Sequence, residues 1–279
     1  MRSALECAAL FLACLKETNK RETYYKSFRQ WLAFLCNRFG AVQMGGVTKE
    51  MLSTVYGEIA IRTRQTWRSR ANTFWGWAKR NGHAESNLAE CLEIPRMDKE
   101  IPHILTVSQC RTLLKECQTH TLGALILMLF AGLRPSEAKQ IDARAISLEK
   151  RTITVGGAIA KTRSYRLIPI TSNMASWFIY LEEKNQPFPY RQANKKNTEG
   201  WAKILGLPSW PRDCLRHTAA SMMLARDKNA DKVSLELGNS PGVLHRHYKN
   251  LVTDSDCESF WRLTPVNVGR ANCCKKGNS

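Results

Sequence analysis

The amino-acid sequence predicts a mainly α-helical protein with a small β-sheet, divided into a helical N-terminal domain and an α+β C-terminal domain. Apolar residues recur at helical spacing through most of the chain, whereas only two short segments alternate as strands do. A segment bracketed by prolines separates the first 95 residues from the remainder. With 279 residues, 43% of them hydrophobic, the chain is long enough for two domains that each bury a core.

The N-terminal domain, residues 1–95, is predicted to be entirely helical. One apolar stripe at helical spacing consists of Tyr24, Phe28, Trp31, Leu32 and Leu35. Gly40 ends this helix, and Thr48 is suited to cap the next one. A later helix carries a second stripe, made of Trp67, Ala71, Phe74, Trp75 and Ala78. Aromatic stripes of this kind are typical of a buried core.

The second striped helix is rich in arginine. Arg62, Arg64, Arg68 and Arg70 fall mainly on its other faces. Such a face is either solvated or directed at DNA, and the charge of the whole chain favours DNA. Lys and Arg total 42 against 24 Asp and Glu, a formal net charge of +18. An excess of this size favours a polyanionic partner, nucleic acid before an anionic membrane, although a soluble protein can simply be basic.

The composition also bears on location. No apolar run approaches the ~20 residues of a spanning helix, so no membrane association is predicted. The ten cysteines are scattered without a CxxC pair, and Cys273-Cys274 have no nearby histidine cluster that would complete a zinc site. Reduced thiols in a cytoplasmic protein explain this pattern most simply.

Residues 96–102 are predicted to be a linker between the domains. Directly after them, Thr106 and Gln109 form a capping box, with Leu105 and Cys110 placed for a hydrophobic staple. The second domain is therefore predicted over residues 103–265, followed by a C-terminal tail over 266–279.

Within the second domain, an apolar helix over 122–131 leads into the turn 132–135. Two alternating segments, 151–155 and 165–170, are predicted strands with Gly156-Gly157 between them. Helices follow near 172–183, 211–226 and 231–237, and Gly238 is suited to end the last of them.

The chemistry suggested by the second domain is phosphoryl transfer without a metal or a cofactor. The sequence has neither a carboxylate cluster for magnesium nor a glycine-rich phosphate loop. Charge stabilisation must then come from fixed cations and the nucleophile from a side chain. Arg134 before Pro135 lies at a predicted helix start, where its guanidinium and the helix dipole could grip a phosphate. A structural pair between Arg134 and Glu137 is the alternative interpretation.

Five segments in chain order together resemble the catalytic domain of the tyrosine recombinases, the phage-integrase superfamily, over about residues 103–263. The matching residues are Arg134 with Glu137 in a GLRxxE turn, Lys161 in a hairpin, Arg216 in an LRHT box, Asn239 in Leu237-Gly238-Asn239, and Tyr248 in an HY context. The helical N-terminal part is similar to the core-binding domain of that family. The resemblance implies a site-specific DNA recombinase or integrase.

The resemblance also implies a role for each matching residue. Tyr248 would attack the scissile phosphodiester and form a 3′-phosphotyrosine, while Arg134 and Arg216 clamp the non-bridging oxygens. Lys161 would donate a proton to the leaving 5′-oxygen, and Asn239 would complete the catalytic set. The implied partners are double-stranded DNA and three further copies of the chain, which form a homotetramer on paired sites.

Two positions depart from the family pattern. Asn239 stands where the family has His or Trp, and it keeps a hydrogen-bond donor. Asp213 stands where the family has a histidine three residues before the second arginine, which replaces a cation with an acid. Its carboxylate is expected to cap the helix that carries Arg216, in preference to donating as a neutral acid near the phosphate.

Two alternatives share the predicted fold. The first is a DNA-binding relative with weakened catalysis, of which Asp213 would be the sign. The second is a topoisomerase-like enzyme that nicks and closes DNA by the same chemistry. A predicted helix over Asp256 to Leu263, which carries Phe260, Trp261 and Leu263, is expected by the resemblance to dock onto a neighbouring protomer.

Overall fold

The computed structural model of the chain describes residues 2–95, 101–160, 165–186, 195–240, 242, 244 and 251–270. These residues are mainly helical and include a three-stranded sheet, which confirms the predicted fold class. The chain divides into two compact units, residues 1–99 and 100–279.

The first unit is helical in all its regular elements. Its helices are α1 (Ala4–Glu17), α2 (Glu22–Phe39), α3 (Lys49–Glu58) and α4 (Ile61–Arg80), with short 3₁₀ helices at Met44–Gly46 and Leu88–Cys91. The capping prediction at Thr48 is confirmed, because its hydroxyl accepts from the Met51 N–H at 3.3 Å. The Gly40 N–H bonds to the Cys36 carbonyl at the end of α2.

The core of the first unit is built from the two predicted aromatic stripes. All five residues of the α4 stripe are buried, and the rings of Trp31 and Trp67 meet edge to face at 5.4 Å. Phe28 in α2 is also buried, whereas Tyr24 is 39% exposed and covers Phe28 from outside. The buried stripe of α2 therefore begins at Phe28, one turn after its predicted start at Tyr24.

The second unit begins with α5 (Val107–Glu116), α6 (Thr119–Leu129) and the single turn α7 (Pro135–Ala138). A sheet of β1 (Ile146–Ser147), β2 (Thr152–Val155) and β3 (Arg166–Pro169) follows, with a 3₁₀ turn at Ala143–Ala145 before it. The other helices for which the described residues give bounds are α8 (Ser172–Glu183), α9 (Lys195–Ile204), α10 (Cys214–Asp227), α11 (Ala230–Leu237) and α12 (Asp254–Trp261). The predicted capping box is present, with Thr106 and Gln109 bonding each other's backbone N–H groups.

The sheet is antiparallel in the order β1-β2-β3. Its register pairs Ile153 with Ile168 and Val155 with Arg166. The alternation of β3 places Ile168 and Arg166 on the buried face and Leu167 on the exposed one. A charged residue on the inward face of a strand is unusual, because burial of an ion is costly without a partner.

Helices α6 and α10 form the centre of the second unit. Every residue of α6 from Thr121 to Leu129 is buried, which explains why this segment is apolar on all sides. Helix α10 packs on α6, α11 and α12, and small residues such as Ala219 and Ala220 allow close approach. This packing determines the direction of the arginine on the first turn of α10.

The C-terminal segment corrects one prediction. Helix α12 packs within its own unit, and Phe260 and Leu263 are fully buried in the main core. The Trp177 indole donates to the Leu263 carbonyl at 2.9 Å. Val268 is buried too, and Arg270 donates to the Leu114 carbonyl at 2.5 Å. Phe260 and Leu263 are therefore buried within their own unit, and residues 266–270 belong to the packed unit rather than to a tail. Docking of this helix on a neighbouring protomer stays a prediction.

We expect Phe260→Ala to lower the free energy of unfolding of the chain by about 3–5 kcal/mol, because it leaves a cavity in the core. Val266→Ala is the matched control, since Val266 is 62% exposed and a few residues away. Urea unfolding followed by circular dichroism measures both changes. A loss below about 1 kcal/mol for Phe260→Ala would contradict the cis packing of α12.

Candidate active site

Arg134 is positioned by a turn that only glycine permits. Gly132 has φ 62°, and a Cβ there would lie 2.3 Å from the Leu237 side chain, so the turn packs tightly against the end of α11. Pro135 then opens α7, and the Arg134 N–H donates to the Glu137 carboxylate at 3.0 Å. The predicted pair is present as well, with Arg134 Nη1 3.1 Å from Glu137 Oε1.

Arg216 reaches the same place from the first turn of α10. Its guanidinium is almost entirely buried and donates to the carbonyl oxygens of Gly132 and Leu237, the latter at 2.7 Å. These carbonyls belong to the turn that carries Arg134 and to the end of α11. Arg216 thereby links the three segments that were recognised separately in the sequence.

Asn239 joins the two arginines. Gly238, at φ 65°, ends α11 as predicted and turns the chain so that Asn239 faces the guanidiniums. Its Oδ1 accepts from Arg134 Nη2 at 2.9 Å and from Arg216 Nη2 at 3.0 Å. Three of the predicted site residues, 134, 216 and 239, are therefore in direct contact.

Glu137 supplies the negative charge that balances this cluster. Its side chain is fully buried and also accepts from Arg166 Nη2 at 2.6 Å. Burial acts to raise the pKa of the Glu137 carboxyl, but the hydrogen bonds from Arg166 and the Arg134 backbone, together with both positive charges, hold it below its usual value. Glu137 is therefore ionised at neutral pH.

An open cleft of about 950 Å³ gives access to the cluster. Its lining includes Arg134, Arg166, Lys232, Asn239 and Ser240. Arg216 lines a separate, more apolar cavity of about 110 Å³ with Trp201 and Trp210. Asn239 Oδ1 therefore accepts one hydrogen bond from Arg134, which lines the open cleft, and one from the buried Arg216. This oxygen is held as an anionic phosphate oxygen would be, by two guanidinium N–H groups.

The sequence profile described as the phage integrase family matches residues 103–251, more than half of the chain. The chain belongs to the phage integrase family. It is a tyrosine-type site-specific DNA recombinase.

Individual relatives agree with the family assignment. The tyrosine recombinase XerC of Mycobacterium leprae (strain TN) is 24% identical over 260 residues, which covers 83% of this chain and 88% of that protein. The Tn1549 transposon integrase, solved with circular intermediate DNA, has a TM-score of 0.68 at 15% identity and covers 91% of this chain and 98% of its own. A lambda integrase tetramer bound to a Holliday junction has a TM-score of 0.71 at 11% identity, covering 91% and 80%.

Two predicted catalytic residues of this recombinase, Lys161 and Tyr248, lie outside the described residues. Of the residues that the structure does describe, Arg166 is one that the sequence reasoning missed. The available signal was the alternation of the strand 165–170, which places Arg166 on the same face as Ile168 and Ile170.

Asp213 does not cap α10 with its side chain, which corrects the preferred prediction. It stands at the N-cap position, but its backbone is left-handed (φ 53°, ψ 15°) and its carboxylate accepts no helix N–H. A side-chain cap needs an extended N-cap residue, which the left-handed backbone of Asp213 does not provide. It lies 3.6 Å from Arg212 Nε and is 40% exposed.

We expect the backbone of Asp213 to decide which substitutions are tolerated. Asn adopts the left-handed conformation readily, whereas Ala and Ser do so at a cost of about 1 kcal/mol. Asp213→Asn should therefore preserve the free energy of unfolding, and Asp213→Ser should lose about as much as Asp213→Ala. Chemical denaturation of the three variants checks this order. A serine variant as stable as the wild type would restore the side-chain cap.

The four α4 arginines predicted to contact DNA divide into two pairs. Arg64 donates to the carbonyls of Ile59 at 2.8 Å and Gly57 at 2.6 Å, and Arg68 donates to the Leu92 carbonyl at 2.5 Å. These two side chains hold backbone within the first unit, a structural role that the sequence did not predict. Arg62 is exposed and Arg70 is half-buried.

The described residues include neither a metal-binding cluster nor a membrane-spanning helix. In the part of the chain that the structure describes, no group of three or more His, Cys, Asp or Glu side chains is placed to hold a metal ion. None of the helices described is long and apolar enough to cross a membrane.

Proposed function

We propose that this recombinase cleaves and rejoins DNA through a 3′-phosphotyrosine at Tyr248, with Arg134 and Arg216 as the charge clamp on the scissile phosphate. The observation that carries the proposal is the oxygen shared by the two guanidiniums. Donors that stabilise a developing oxyanion lie 2.7–3.1 Å from its position. The distances of 2.9 and 3.0 Å from Arg134 and Arg216 to Asn239 Oδ1 fall in this range.

Substrate binding exchanges one oxygen for another. A non-bridging phosphate oxygen takes the place of Asn239 Oδ1 between the guanidiniums, and Asn239 then turns its amide nitrogen to donate to the phosphate. The arginines are already held by backbone carbonyls and by Glu137, so little reorganisation accompanies the reaction.

The covalent steps balance without an external energy source. The Tyr248 hydroxyl gives its proton to solvent as its oxygen bonds to phosphorus, and the bond from phosphorus to the 5′-oxygen breaks. Lys161 supplies the proton that the leaving oxygen takes up and regains one from solvent. Attack of a 5′-hydroxyl on the phosphotyrosine reverses these changes and releases the tyrosine. Because the phosphodiester energy is kept in the protein–DNA bond, rejoining needs no ATP and no cofactor.

We further propose that four copies act together on two DNA sites, in the cytoplasm, where DNA is accessible. The lambda integrase assembly on a Holliday junction supports this stoichiometry by similarity. The exposed Arg62 and the half-buried Arg70 of α4 are the proposed DNA contacts of the first unit, with Arg64 and Arg68 organising the backbone beside them.

A suicide substrate with a nick next to the cleavage position tests the proposal. Loss of the short 5′ fragment traps the intermediate, which migrates as a detergent-resistant protein–DNA adduct, and EDTA is present throughout. An adduct formed under these conditions supports the reaction, while DNA binding without an adduct would indicate a catalytically weakened relative. Joining of two different duplexes separates recombination from topoisomerase-like nicking and closing.

A further inference from the structure

Arg166 is a buried arginine beside the proposed catalytic cluster. Its side chain is only 7% exposed, and it projects inward from β3. Burial of a guanidinium is costly unless charge and hydrogen bonds compensate for it. An apolar residue at this position would suit the sheet better. An arginine here therefore indicates a function other than sheet formation.

The contacts of Arg166 connect three segments of the site. Its Nη2 lies 2.6 Å from Glu137 Oε2, and its Nε donates to the Glu236 carbonyl at 2.9 Å. The guanidinium also packs on Gly238, where a Cβ would lie 3.3 Å from Arg166 Nη1. These segments are the turn after Arg134, the last turn of α11 and the turn before Asn239.

The two arginines compete for one negative charge. One carboxylate, Glu137, lies between two guanidiniums, and Arg166 makes the shorter contact, at 2.6 Å against 3.1 Å for Arg134. A carboxylate with both oxygens available would pair with an arginine through two parallel hydrogen bonds. Glu137 Oε2 accepts from Arg166 Nη2 and, at 3.0 Å, from the Arg134 backbone N–H, and Arg166 Nη1 also lies 3.4 Å from Oε1. With Oε2 engaged by these two donors, Arg134 Nη1 bonds Oε1 and Arg134 Nη2 is directed at Asn239 Oδ1.

We infer that Arg166 is a positioning residue for the cleavage step, which acts through Glu137 to keep Arg134 Nη2 available for the scissile phosphate. The inference rests on the proposed function of Arg134. Arg166 itself is too buried to bind the DNA backbone as a surface arginine would. Its removal should therefore change the rate of cleavage and leave the affinity for DNA nearly the same.

The first test measures cleavage and affinity separately. Arg166→Met should lower the single-turnover rate of adduct formation on the suicide substrate by about 10²-fold, the scale for a small misplacement of a reacting group. The dissociation constant for intact DNA, measured by fluorescence anisotropy, should change little. An unchanged rate with a normal wild-type adduct would overturn the inference, whereas absence of an adduct in the wild type would reject the proposed function instead.

The second test is a rescue that a merely structural arginine would not show. Arg166→Met removes the guanidinium that competes with Arg134 for the Glu137 carboxylate, so the carboxylate can draw in Arg134 Nη2 as well. Arg166→Met combined with Glu137→Gln removes both the positive charge and the carboxylate that would draw in Arg134. The double variant should therefore cleave faster than Arg166→Met alone. A double variant that is slower still would overturn the proposed route through Glu137.

Arg226→Met is the matched control for lost stability. Arg226 is also partly buried and pairs with Asp227 at 2.9 and 2.8 Å, but it makes no contact with Arg134 or Glu137 among the described bonds. We expect a fall in melting temperature like that of Arg166→Met, with adduct formation close to wild type well below that temperature. A slow Arg226→Met would assign the effect to stability and overturn the inference.

Discussion

Tyr248→Phe is expected to abolish the covalent protein–DNA adduct, because the substitution removes the one oxygen that would bond to phosphorus. DNA affinity should hardly change, since a single hydroxyl is lost from a chain whose binding is dominated by 42 basic residues. Gel electrophoresis of the trapped adduct in detergent measures the first effect, and anisotropy at fixed salt measures the second.

Tyr165→Phe is the control for this experiment. Tyr165 is 63% exposed and lines the cleft that holds Arg134, so its hydroxyl is the accessible alternative among the described tyrosines near the site. Its loss should leave the adduct intact. An adduct that persists in Tyr248→Phe and disappears in Tyr165→Phe would move the nucleophile and reject the assignment taken from the family pattern.

Arg216→Ala is expected to lower the cleavage rate by about 10²–10³-fold, the effect of removing a preorganised donor from a transition-state oxyanion. Arg134→Ala should act on a similar scale. Arg216→Lys keeps the positive charge. A single ammonium group cannot replace the guanidinium, which donates at the same time to the carbonyls of Gly132 and Leu237 and to Asn239 Oδ1. We therefore expect lysine to restore only a minor part of the rate.

The rate is measured under single-turnover conditions with protein in excess, so that weaker binding does not distort it. Arg262→Ala serves as the control, because the Arg262 side chain is 77% exposed at the end of α12 and pairs with the exposed Glu258, away from the site. A loss smaller than threefold in both arginine variants would exclude a charge clamp made from these residues.

Elements that depend on near neighbours in the chain were predictable from the sequence. The stripe of α4, the capping box at Thr106 and Gln109 and the left-handed Gly238 all arise within a few residues. The antiparallel pair of β2 and β3 also followed from alternation and the glycines between them. Periodicity and capping report local energetics, so the fold class could be predicted from them.

Other features were not predicted from the sequence. The contact that determines them either joins residues that are distant in sequence or depends on the backbone conformation. Asp213 has a residue type that suits a side-chain cap, yet its left-handed conformation directs the carboxylate elsewhere. Arg64 and Arg68 looked like surface charges, but the carbonyls they hold lie up to 24 residues away. Phe260 was expected on a face available for docking, but it is buried in the core of its own unit.

The sequence by itself determined the family and supplied the candidates proposed as reacting residues, because ordered motifs carry that information without coordinates. Only the tertiary structure decided how those residues are held. Arg134 and Asn239 are 105 residues apart, and the bond between them depends on the close approach of Gly132 to Leu237. The role of Arg166 likewise depends on a buried carboxylate 29 residues before it. Such contacts follow from packing in three dimensions, which no local pattern of the chain encodes.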